Sequence, residues 1–360
     1  MREETPVLIR HARLGEFIVE VLAALGMPRH IVEPTARLMV QTDLRGVNSH
    51  GIGMLPRYAE WIREGFIEPA AEPKTMRDDL ATALLDGQKG LGHYPSILAM
   101  ELAISKARTF GVGVVTVRNS GHFGAAANYS MMALTHDMIG LATTNSPYVA
   151  MVPTFGRAPA LSTNPISIAA PAGSQPPFVL DMATTTVAIG KLRLASRWGN
   201  PIPEGWAVDP AGRPTTDPQV ALAHRLLSPL GGSRALGGHK GYGLGVMVDI
   251  LSGVLSGAVY GNLFFRSDMP KQKLHNVGHC FAAIDPGRFR PLEEFKADMD
   301  DMLRALKDTP KAEGEERVYT AGEPEAECGQ RRLVEGIPLA PALVAEVNQI
   351  AGTLGVGTLA

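Results

Sequence analysis

Cysteine is scarce in this chain of 360 residues, which contains only Cys280 and Cys328. Two cysteines are too few for a disulfide framework and are typical of a reducing compartment, so we expect a cytoplasmic location. No run of about 18 uncharged apolar residues is present to cross a membrane, and segment 1–10 lacks the apolar centre of a signal peptide. The net charge of −2 gives no basic surface for nucleic acid or anionic lipid.

Motifs of the common nucleotide-binding and hydrolytic folds are also missing. The segment Gly241-Tyr-Gly-Leu-Gly245 lacks the third glycine of a dinucleotide fingerprint and does not lie between a strand and a helix, so it predicts no Rossmann fold. No P-loop, His-Glu-x-x-His, Cys-x-x-Cys or Gly-x-Ser-x-Gly sequence occurs. His275, His279 and Cys280 come nearest to a metal cluster, but alternation along a strand would send them to different faces. We therefore predict no metal.

Hydrophobic periodicity predicts a mixture of α and β elements without strict alternation, and the length allows about two domains. One apolar stripe at helical spacing consists of Leu14, Phe17, Ile18, Val21, Leu22 and Leu25. Further helices are predicted at 33–44, 55–64, 96–108, 125–136, 241–257, 291–306 and 341–350. Strands are predicted at 82–86, 112–117, 138–143, 166–170, 178–180 and 279–284. A charged linker is predicted around 307–316.

One turn collects reactive side chains. The segment Thr42-Asp-Leu-Arg-Gly-Val-Asn-Ser-His-Gly51 joins two predicted helices. His50 is the member whose ordinary pKa lies near neutrality, so it can both take and return a proton. The alternative is a helix cap, in which Ser49 or Asn48 accepts an N–H of the next helix and His50 is only solvated.

Five further polar loops lie where a strand ends or a helix begins, at 118–124, 144–147, 162–165, 180–184 and 237–241. Each alone is more often a turn or a cap than a binding site. Together they predict one crevice for a polar, phosphorylated ligand. Lys240, at the start of a predicted helix, is the candidate phosphate partner.

Several motifs follow one another in a characteristic order. They are Asp43-Leu-Arg-Gly-Val-Asn-Ser-His-Gly51, Leu55-Pro-Arg-Tyr58, Asn119-Ser-Gly-His-Phe-Gly124, Thr163-Asn-Pro165, Leu180-Asp-Met-Ala-Thr184, Glu204-Gly-Trp-Ala-Val-Asp209 and Gly238-His-Lys-Gly-Tyr-Gly-Leu244. In this combination the sequence resembles the type-2 malate/L-lactate dehydrogenase family over nearly its whole length. That family also contains ureidoglycolate and sulfolactate dehydrogenases, diketogulonate reductase and piperideine-carboxylate reductase.

The resemblance implies an oxidoreductase that uses NAD or NADP, forms homodimers and has a mixed α/β, non-Rossmann fold with a largely antiparallel central sheet. It implies an N-terminal helical region, 1–75, that carries the catalytic turn and packs with C-terminal helices of 290–360. A cofactor-binding α/β domain would occupy 76–289. The expected chemistry is hydride transfer between nicotinamide and a small 2-hydroxy or 2-oxo acid, of the malate or lactate class. The alternatives are a ureidoglycolate- or sulfolactate-type substrate, or a catalytically silent nucleotide sensor of the same fold.

Carried onto this sequence, the family motifs assign the proton transfer to His50, with Ser49 beside it and His122 as a competing candidate. The matched cofactor-binding positions are His122, Phe123, Gly124, Ala125, Ser146, Leu180, Asp181, Met182, His239, Lys240, Gly241, Gly322 and Glu323. The last two belong to a late loop, 319–325, that closes over the nucleotide in the family.

The substrate carboxylate favours an arginine, whose planar fork can hold both oxygens. Many members of the family place that arginine four residues after the motif histidine, where this chain has Met54. Arg45 and Arg57 are the remaining candidates, with Thr163 as a further substrate contact. Lys191 stands where imine-reducing members have an aspartate, which argues against imine reduction.

Overall fold

The computed structural model describes residues 5–265 and 276–360. Its strands are β1 (Val7–Ile9), β2 (Lys74–Asp79), β3 (Thr82–Asp86), β4 (Val112–Ser120), β5 (Ile139–Thr144), β6 (Ile166–Ala170), β7 (Phe178–Met182), β8 (Ala207–Val208), β9 (Pro214–Thr215), β10 (Val277–Ile284) and β11 (Ile337–Leu339). Its α-helices are α1 (His11–Ala24), α2 (Arg29–Leu44), α3 (Leu55–Arg63), α4 (His93–Phe110), α5 (Ala127–Ser130), α6 (Ile189–Trp198), α7 (Pro218–His224), α8 (Gly238–Asp249), α9 (Leu292–Lys307), α10 (Glu323–Glu335) and α11 (Pro341–Thr353). None of the helices in these two ranges combines the length and apolar character needed to cross a membrane.

Seven strands form the central sheet of the described chain, in the order β2-β3-β4-β10-β5-β6-β7. Strands β3 and β4 run parallel, and the other neighbouring pairs run antiparallel. Strand β10 comes from late in the sequence and lies between β4 and β5, where Phe281 is opposite both Val115 and Ala142. The predicted mixed α/β fold with a largely antiparallel, non-Rossmann sheet is therefore confirmed.

Helix α4 packs directly on this sheet. Its Met100 and Ala103 belong to one buried cluster with Val115 of β4 and Phe281 of β10. The backbones approach closely at Gly113, where an added Cβ would lie 2.1 Å from the carbonyl oxygen of Ala103. Because the helix rests on the centre of the sheet, the loops that leave β4 and β5 start from fixed positions.

The N-terminal helices share a core with the end of the chain. Phe17 and Leu22 of α1 are buried in one cluster with Val344 and Val347 of α11, and β1 pairs antiparallel with β11. Helix α9 contacts a different segment, because the carboxylate of Asp300 accepts the backbone N–H groups of residues 173–175. The domain boundaries inferred from the sequence stay a prediction.

Several elements differ from those that periodicity predicts. The helix expected at 125–136 divides into α5 and a 3₁₀ turn, Met131–His136, where the Ser130 hydroxyl bonds the Ala127 carbonyl and competes with the helix ladder. The helix expected at 241–257 ends as α8 and continues as a π turn, Ile250–Val254. Helix α10 was not predicted, since among its residues only Glu323 is buried and no apolar stripe marks it.

Candidate active site

A cavity of about 990 Å³ lies between the helical region and the ends of the central strands. The turn between α2 and α3 forms one wall. The loops after β4 and β5, the end of β7 and the start of α6 form the others, together with the segment that leads into α10. The volume is at the upper end of the range for small-molecule sites, so a dinucleotide has room beside a small acid.

The turn after α2 is clamped from beneath. The buried carboxylate of Asp43 accepts the Ile52 N–H at 2.7 Å through Oδ2. A Cβ on Gly51 would lie 2.1 Å from Cγ of Asp43, so the turn closes onto this carboxylate only with glycine at 51. Arg332 of α10 donates to the Asp43 carbonyl oxygen at 2.5 Å and to Oδ1 of Asn48 at 2.6 Å. These contacts fix the backbone that carries Ser49 and His50.

His50 occupies the cavity wall at the end of this turn. Its Nδ1 lies 2.8 Å from the hydroxyl oxygen of Ser49, and its ring stacks on His122 with centroids 5.4 Å apart. Desolvation lowers the pKa of His50 below its ordinary value. The helix-cap alternative for the turn is wrong, because neither the 3₁₀ turn Ile52–Met54 nor α3 has a side-chain cap. Asn48 bonds Arg332 instead.

His122 lies beside His50 on the loop after β4. Its Nδ1 is 2.7 Å from the Tyr58 hydroxyl and 3.3 Å from the backbone nitrogen of Gly124. Burial lowers the pKa of His122 well below its ordinary value, and the nearby His50, His93 and His279 lower it further. The two predicted catalytic histidines therefore meet in one cavity with different partners.

Two more histidines lie behind this pair, in the core. His279 of β10 is bonded on both nitrogens, to the Thr144 hydroxyl at 2.7 Å and to the Ser120 hydroxyl at 2.9 Å. His93 of α4 is fully buried, and neither of its nitrogens has a hydrogen-bond partner among the described residues. Burial lowers the pKa of each of these two imidazoles to about 3, so both are neutral near pH 7.

The described residues include no group of three or more His, Cys, Asp or Glu side chains arranged to hold a metal ion. Of the three residues that come nearest to a metal cluster in the sequence, His279 is hydrogen-bonded to two hydroxyls, and Cys280 is a buried free thiol. His275 lies outside the described residues.

The candidate substrate ligands all line the cavity. Arg45 is partly buried there, and desolvation lowers its pKa although Glu325 and Asp181 oppose this shift. Arg57 is half-exposed and donates to Glu60 of its own helix at 2.6 Å. Thr163 contributes a carbonyl that accepts the Thr184 N–H at 2.9 Å.

Most of the predicted cofactor-binding residues line the same cavity: His122, Phe123, Gly124, Ala125, Ser146, Leu180, Asp181, Met182 and Gly322. Two of them bring backbone close to other elements. A Cβ on Gly124 would lie 2.8 Å from Nε2 of His93, and one on Gly322 would lie 2.7 Å from Cβ of Val179. Asp181 accepts the Ala127 N–H at 2.8 Å, and desolvation by the cavity wall raises the pKa of its carboxyl to about 6. A wall of peptide groups, apolar side chains and carboxylates fits a nicotinamide dinucleotide.

Four predicted cofactor residues do not line this cavity. His239, Lys240 and Gly241 lie at the start of α8, where His239 bonds Arg234 at 3.0 Å and Lys240 is exposed. Glu323 is buried behind the cavity wall, where it pairs with Lys307 at 3.0 Å and accepts the Thr320 N–H at 2.8 Å. Glu323 therefore holds the segment 319–322 in place. The cofactor role stays a prediction for these four residues and for the nine that line the cavity.

Three residues of the site were not singled out from the sequence. Arg193 of α6 and Tyr148 line the cavity, and the Tyr58 hydroxyl bonds His122. Tyr58 lies in the motif that follows the catalytic turn, which was the one available signal. Nothing local marks the other two, since their place depends on how distant loops meet.

Comparisons with known proteins identify the family to which the chain is similar. The family model described as Malate/L-lactate dehydrogenase matches residues 9–348. Malate dehydrogenase from Pyrococcus abyssi is 43% identical over 356 residues, which is 98% of this chain and 97% of that protein. L-sulfolactate dehydrogenase from Methanocaldococcus jannaschii is 40% identical over 94% of this chain and 95% of its own length. The structure of malate dehydrogenase from Entamoeba histolytica superimposes with a TM-score of 0.92 at 35% identity, covering 98% of this chain and 99% of that one.

Proposed function

The chain belongs to the malate/L-lactate dehydrogenase family of hydroxy acid dehydrogenases, and we propose that its substrate is a small 2-hydroxy acid with two anionic groups, of the malate or sulfolactate class. The observation that carries the proposal is the cavity that holds His50 and His122 together with Arg45 and Arg57. Lactate has one carboxylate, whereas two arginines in one wall suit a substrate with two anionic groups.

His50 is the proposed acid and base. When bound, the nicotinamide accepts or gives the hydride at C2 of the substrate. His50 removes the hydroxyl proton during oxidation and returns it to the oxygen during reduction, which is typically worth about 10²- to 10⁴-fold in rate. Its lowered pKa keeps the ring neutral near pH 7, as a base requires. The Ser49 hydroxyl, 2.8 Å from Nδ1, holds the ring in orientation.

The two arginines have different proposed roles. Arg45 holds the carboxylate next to C2, because it is the more buried of the two arginines that line the cavity. Arg57 holds the second anionic group nearer the surface, where its bond to Glu60 leaves other guanidinium N–H groups for the ligand.

The proposal includes both NAD and NADP. Arg193, exposed at the edge of the cavity, offers a cation for a 2′-phosphate. Asp181 and Glu325 offer carboxylates that can accept from the hydroxyls of a free ribose. The affinities of NADH and NADPH for the unaltered protein and for Arg193→Ala decide between the two cofactors. If Arg193 contacts the 2′-phosphate, the substitution should weaken the binding of NADPH and not that of NADH.

A homodimer in the cytoplasm completes the proposal. Ile250, Val254 and Leu255 follow α8 as a row of exposed apolar side chains, each between 51% and 57% exposed, which a second copy would cover. Both cysteines are free thiols, as suits a reducing compartment. Light scattering should give twice the chain mass for the protein and the single mass for Val254→Asp. A single mass for the unaltered protein would contradict the dimer.

A panel of 2-oxo acids tests the proposed function. Oxaloacetate, sulfopyruvate and pyruvate are each offered with NADH and with NADPH while the absorbance of the reduced nicotinamide is followed. We expect the highest kcat/KM with one of the two dianionic acids. A clear preference for pyruvate would overturn the dianion proposal. Binding of reduced nicotinamide without turnover of any acid would support the catalytically silent sensor instead.

A further inference from the structure

Two hydrogen-bond donors converge on one nitrogen of His122. The backbone N–H of Gly124 points at Nδ1 from 3.3 Å, and the Tyr58 hydroxyl lies 2.7 Å from the same atom. A backbone N–H can only donate, so Nδ1 of His122 must offer its lone pair. The proton of the neutral ring is then on Nε2.

The opposite arrangement leaves buried groups unpaired. If Nδ1 carried the proton, it would face the N–H of Gly124. The Tyr58 hydroxyl would then accept from His122, and its own hydrogen would have no acceptor among the described residues. Tyr58 is fully buried, where an unpaired hydroxyl hydrogen has no water to compensate it.

We infer that Tyr58 is a positioning residue that holds His122 as a neutral ring with the proton on Nε2, so that His122 donates a hydrogen bond into the cavity and does not exchange protons during turnover. The inference rests on the proposed dehydrogenase function and adds a role for a side chain outside the reacting pair. A fixed N–H directed at the substrate oxygen stabilises the negative charge that develops there during hydride transfer. His50 moves the proton, and His122 stabilises the oxygen.

The surroundings of the two imidazoles support this division. The titratable groups that act on His122 are Tyr58 of α3, His50 of the turn, His93 of α4 and His279 of β10. Burial is the largest cause that opposes a positive charge on His122, and a proton on any of these histidines would oppose it further. His50 differs because its Nδ1 faces the Ser49 hydroxyl, which can donate or accept, whereas Nδ1 of His122 also faces a backbone N–H, which can only donate. His50 can therefore change its protonation state without losing that bond.

The tautomer can be measured directly, without substrate or cofactor. Nitrogen-15 NMR of the histidine-labelled protein at pH 7 should show for His122 a protonated Nε2 and an unprotonated, hydrogen-bonded Nδ1. In Tyr58→Phe the Nδ1 signal should move toward that of an unbonded nitrogen. Thr35→Val is the matched control, because it also removes a buried hydroxyl, one that donates to the Ile31 carbonyl at 2.8 Å within α2. That variant should leave the His122 signals in place.

A second variant keeps the donor and removes the titration. The side-chain amide of His122→Gln places an N–H near the position of Nε2 but cannot take up a proton. We expect a kcat within about 10-fold of the unaltered enzyme, since only the quality of one hydrogen bond changes. Tyr58→Phe should lower kcat by about as much and change the KM of the acid little.

Two results would overturn the inference: a proton on Nδ1 of His122 in the unaltered protein at pH 7, or a His122→Gln variant as inactive as His50→Ala. Failure of the proposed function looks different. An unaltered protein that turns over no hydroxy acid would remove the catalytic role, while the NMR signals would still report whether Tyr58 sets the tautomer.

Discussion

His122 at the cavity wall and His279 in the centre of the sheet differ in how many of their ring nitrogens form hydrogen bonds. His279 bonds Thr144 through one nitrogen and Ser120 through the other, and its ring stacks on Phe123 with centroids 4.8 Å apart. Among the described residues, His122 has hydrogen-bond partners only on Nδ1, and its ring lines the cavity. A histidine with both nitrogens bonded stabilises a fold, whereas one with a nitrogen left for a ligand can take part in chemistry.

The core histidine and the catalytic turn also differ in the kind of contact that holds them in place. His279 is held by hydroxyls on adjacent strands, so its place follows from strand register. The catalytic turn, which carries His50, is held by a long-range contact from Arg332 and by the local bond from the Ile52 N–H to the Asp43 carboxylate. The predictions below test this contrast from the cavity side and from the core side.

Removing the cavity imidazole should have the largest effect on rate. His50→Ala should lower kcat by about 10²- to 10⁴-fold, because no neighbouring group takes its place as acid and base. Binding of reduced nicotinamide, followed by fluorescence, should change little. His224→Ala removes an exposed imidazole and serves as the control. Full activity in His50→Ala would contradict this prediction and would assign the proton transfer to His122.

Removing the core imidazole should affect stability instead of chemistry. His279→Ala leaves a cavity and deprives the Thr144 and Ser120 hydroxyls of their imidazole partner. These losses should lower the free energy of unfolding by about 2 to 4 kcal/mol. Urea unfolding measures this loss. The kcat per folded molecule should stay close to normal, and a loss like that of His50→Ala would place His279 in the catalytic machinery.

The two arginines of the cavity should separate by substrate. Arg45→Gln should raise the KM of every 2-oxo acid by about 10- to 100-fold, because a charge-assisted contact to the shared carboxylate is lost. Arg57→Gln should raise the KM of oxaloacetate and leave that of pyruvate unchanged. Steady-state kinetics with both acids provide the measurement. Equal effects of Arg57→Gln on the two acids would show that it contacts their common carboxylate.

The carboxylate beneath the catalytic turn should make stability depend on pH. Desolvation of Asp43 raises its pKa from 3.8 to about 7, so the folded state binds this proton more tightly than the unfolded state does. The contribution of Asp43 to stability is therefore greatest below pH 4 and is lost as pH rises toward 7. Asp43→Asn should remove about 3 to 4 kcal/mol of this decline, as thermal unfolding at several pH values would measure.

Asp300 gives the control of opposite sign. Backbone and side-chain donors of Ser174 lower the pKa of its carboxyl, so its contribution is present at neutral pH and is lost as pH falls. Asp300→Asn should therefore destabilise the protein most above pH 4. If Asp43→Asn left the pH dependence unchanged, burial would not be raising the pKa of the Asp43 carboxyl.

Local sequence predicted the features that depend on neighbours in the chain. The catalytic turn is one continuous segment, so its reactive side chains could be recognised together, and β6 was predicted with its observed bounds. The prediction of a single helix at 125–136 is wrong, because apolar spacing carries no information on the hydrogen bond from the Ser130 hydroxyl to the backbone of its own helix. Strand β2 was missed because all six of its residues are exposed and no alternation marks it.

The long-range contacts that hold the catalytic turn and the tautomer of His122 could not be predicted from neighbouring residues in the sequence. Arg332 reaches the turn from a position 289 residues beyond Asp43, on a helix without an apolar stripe. The partners of His122 come from α3 and from its own loop, and their convergence on one nitrogen exists only in the folded chain. The start of α8 was expected in the crevice because its sequence motif is clear, yet the position of that helix depends on tertiary packing.

The pH dependence of kcat/KM in both directions tests most directly whether His50 moves the proton. For oxidation of the hydroxy acid the value should rise with pH through one ionisation below 6.5, because the neutral ring is the base. For reduction of the oxo acid it should fall through the same ionisation, and both inflections should vanish in His50→Ala while persisting in His122→Gln. An inflection that survives without His50 and disappears in His122→Gln would contradict the account.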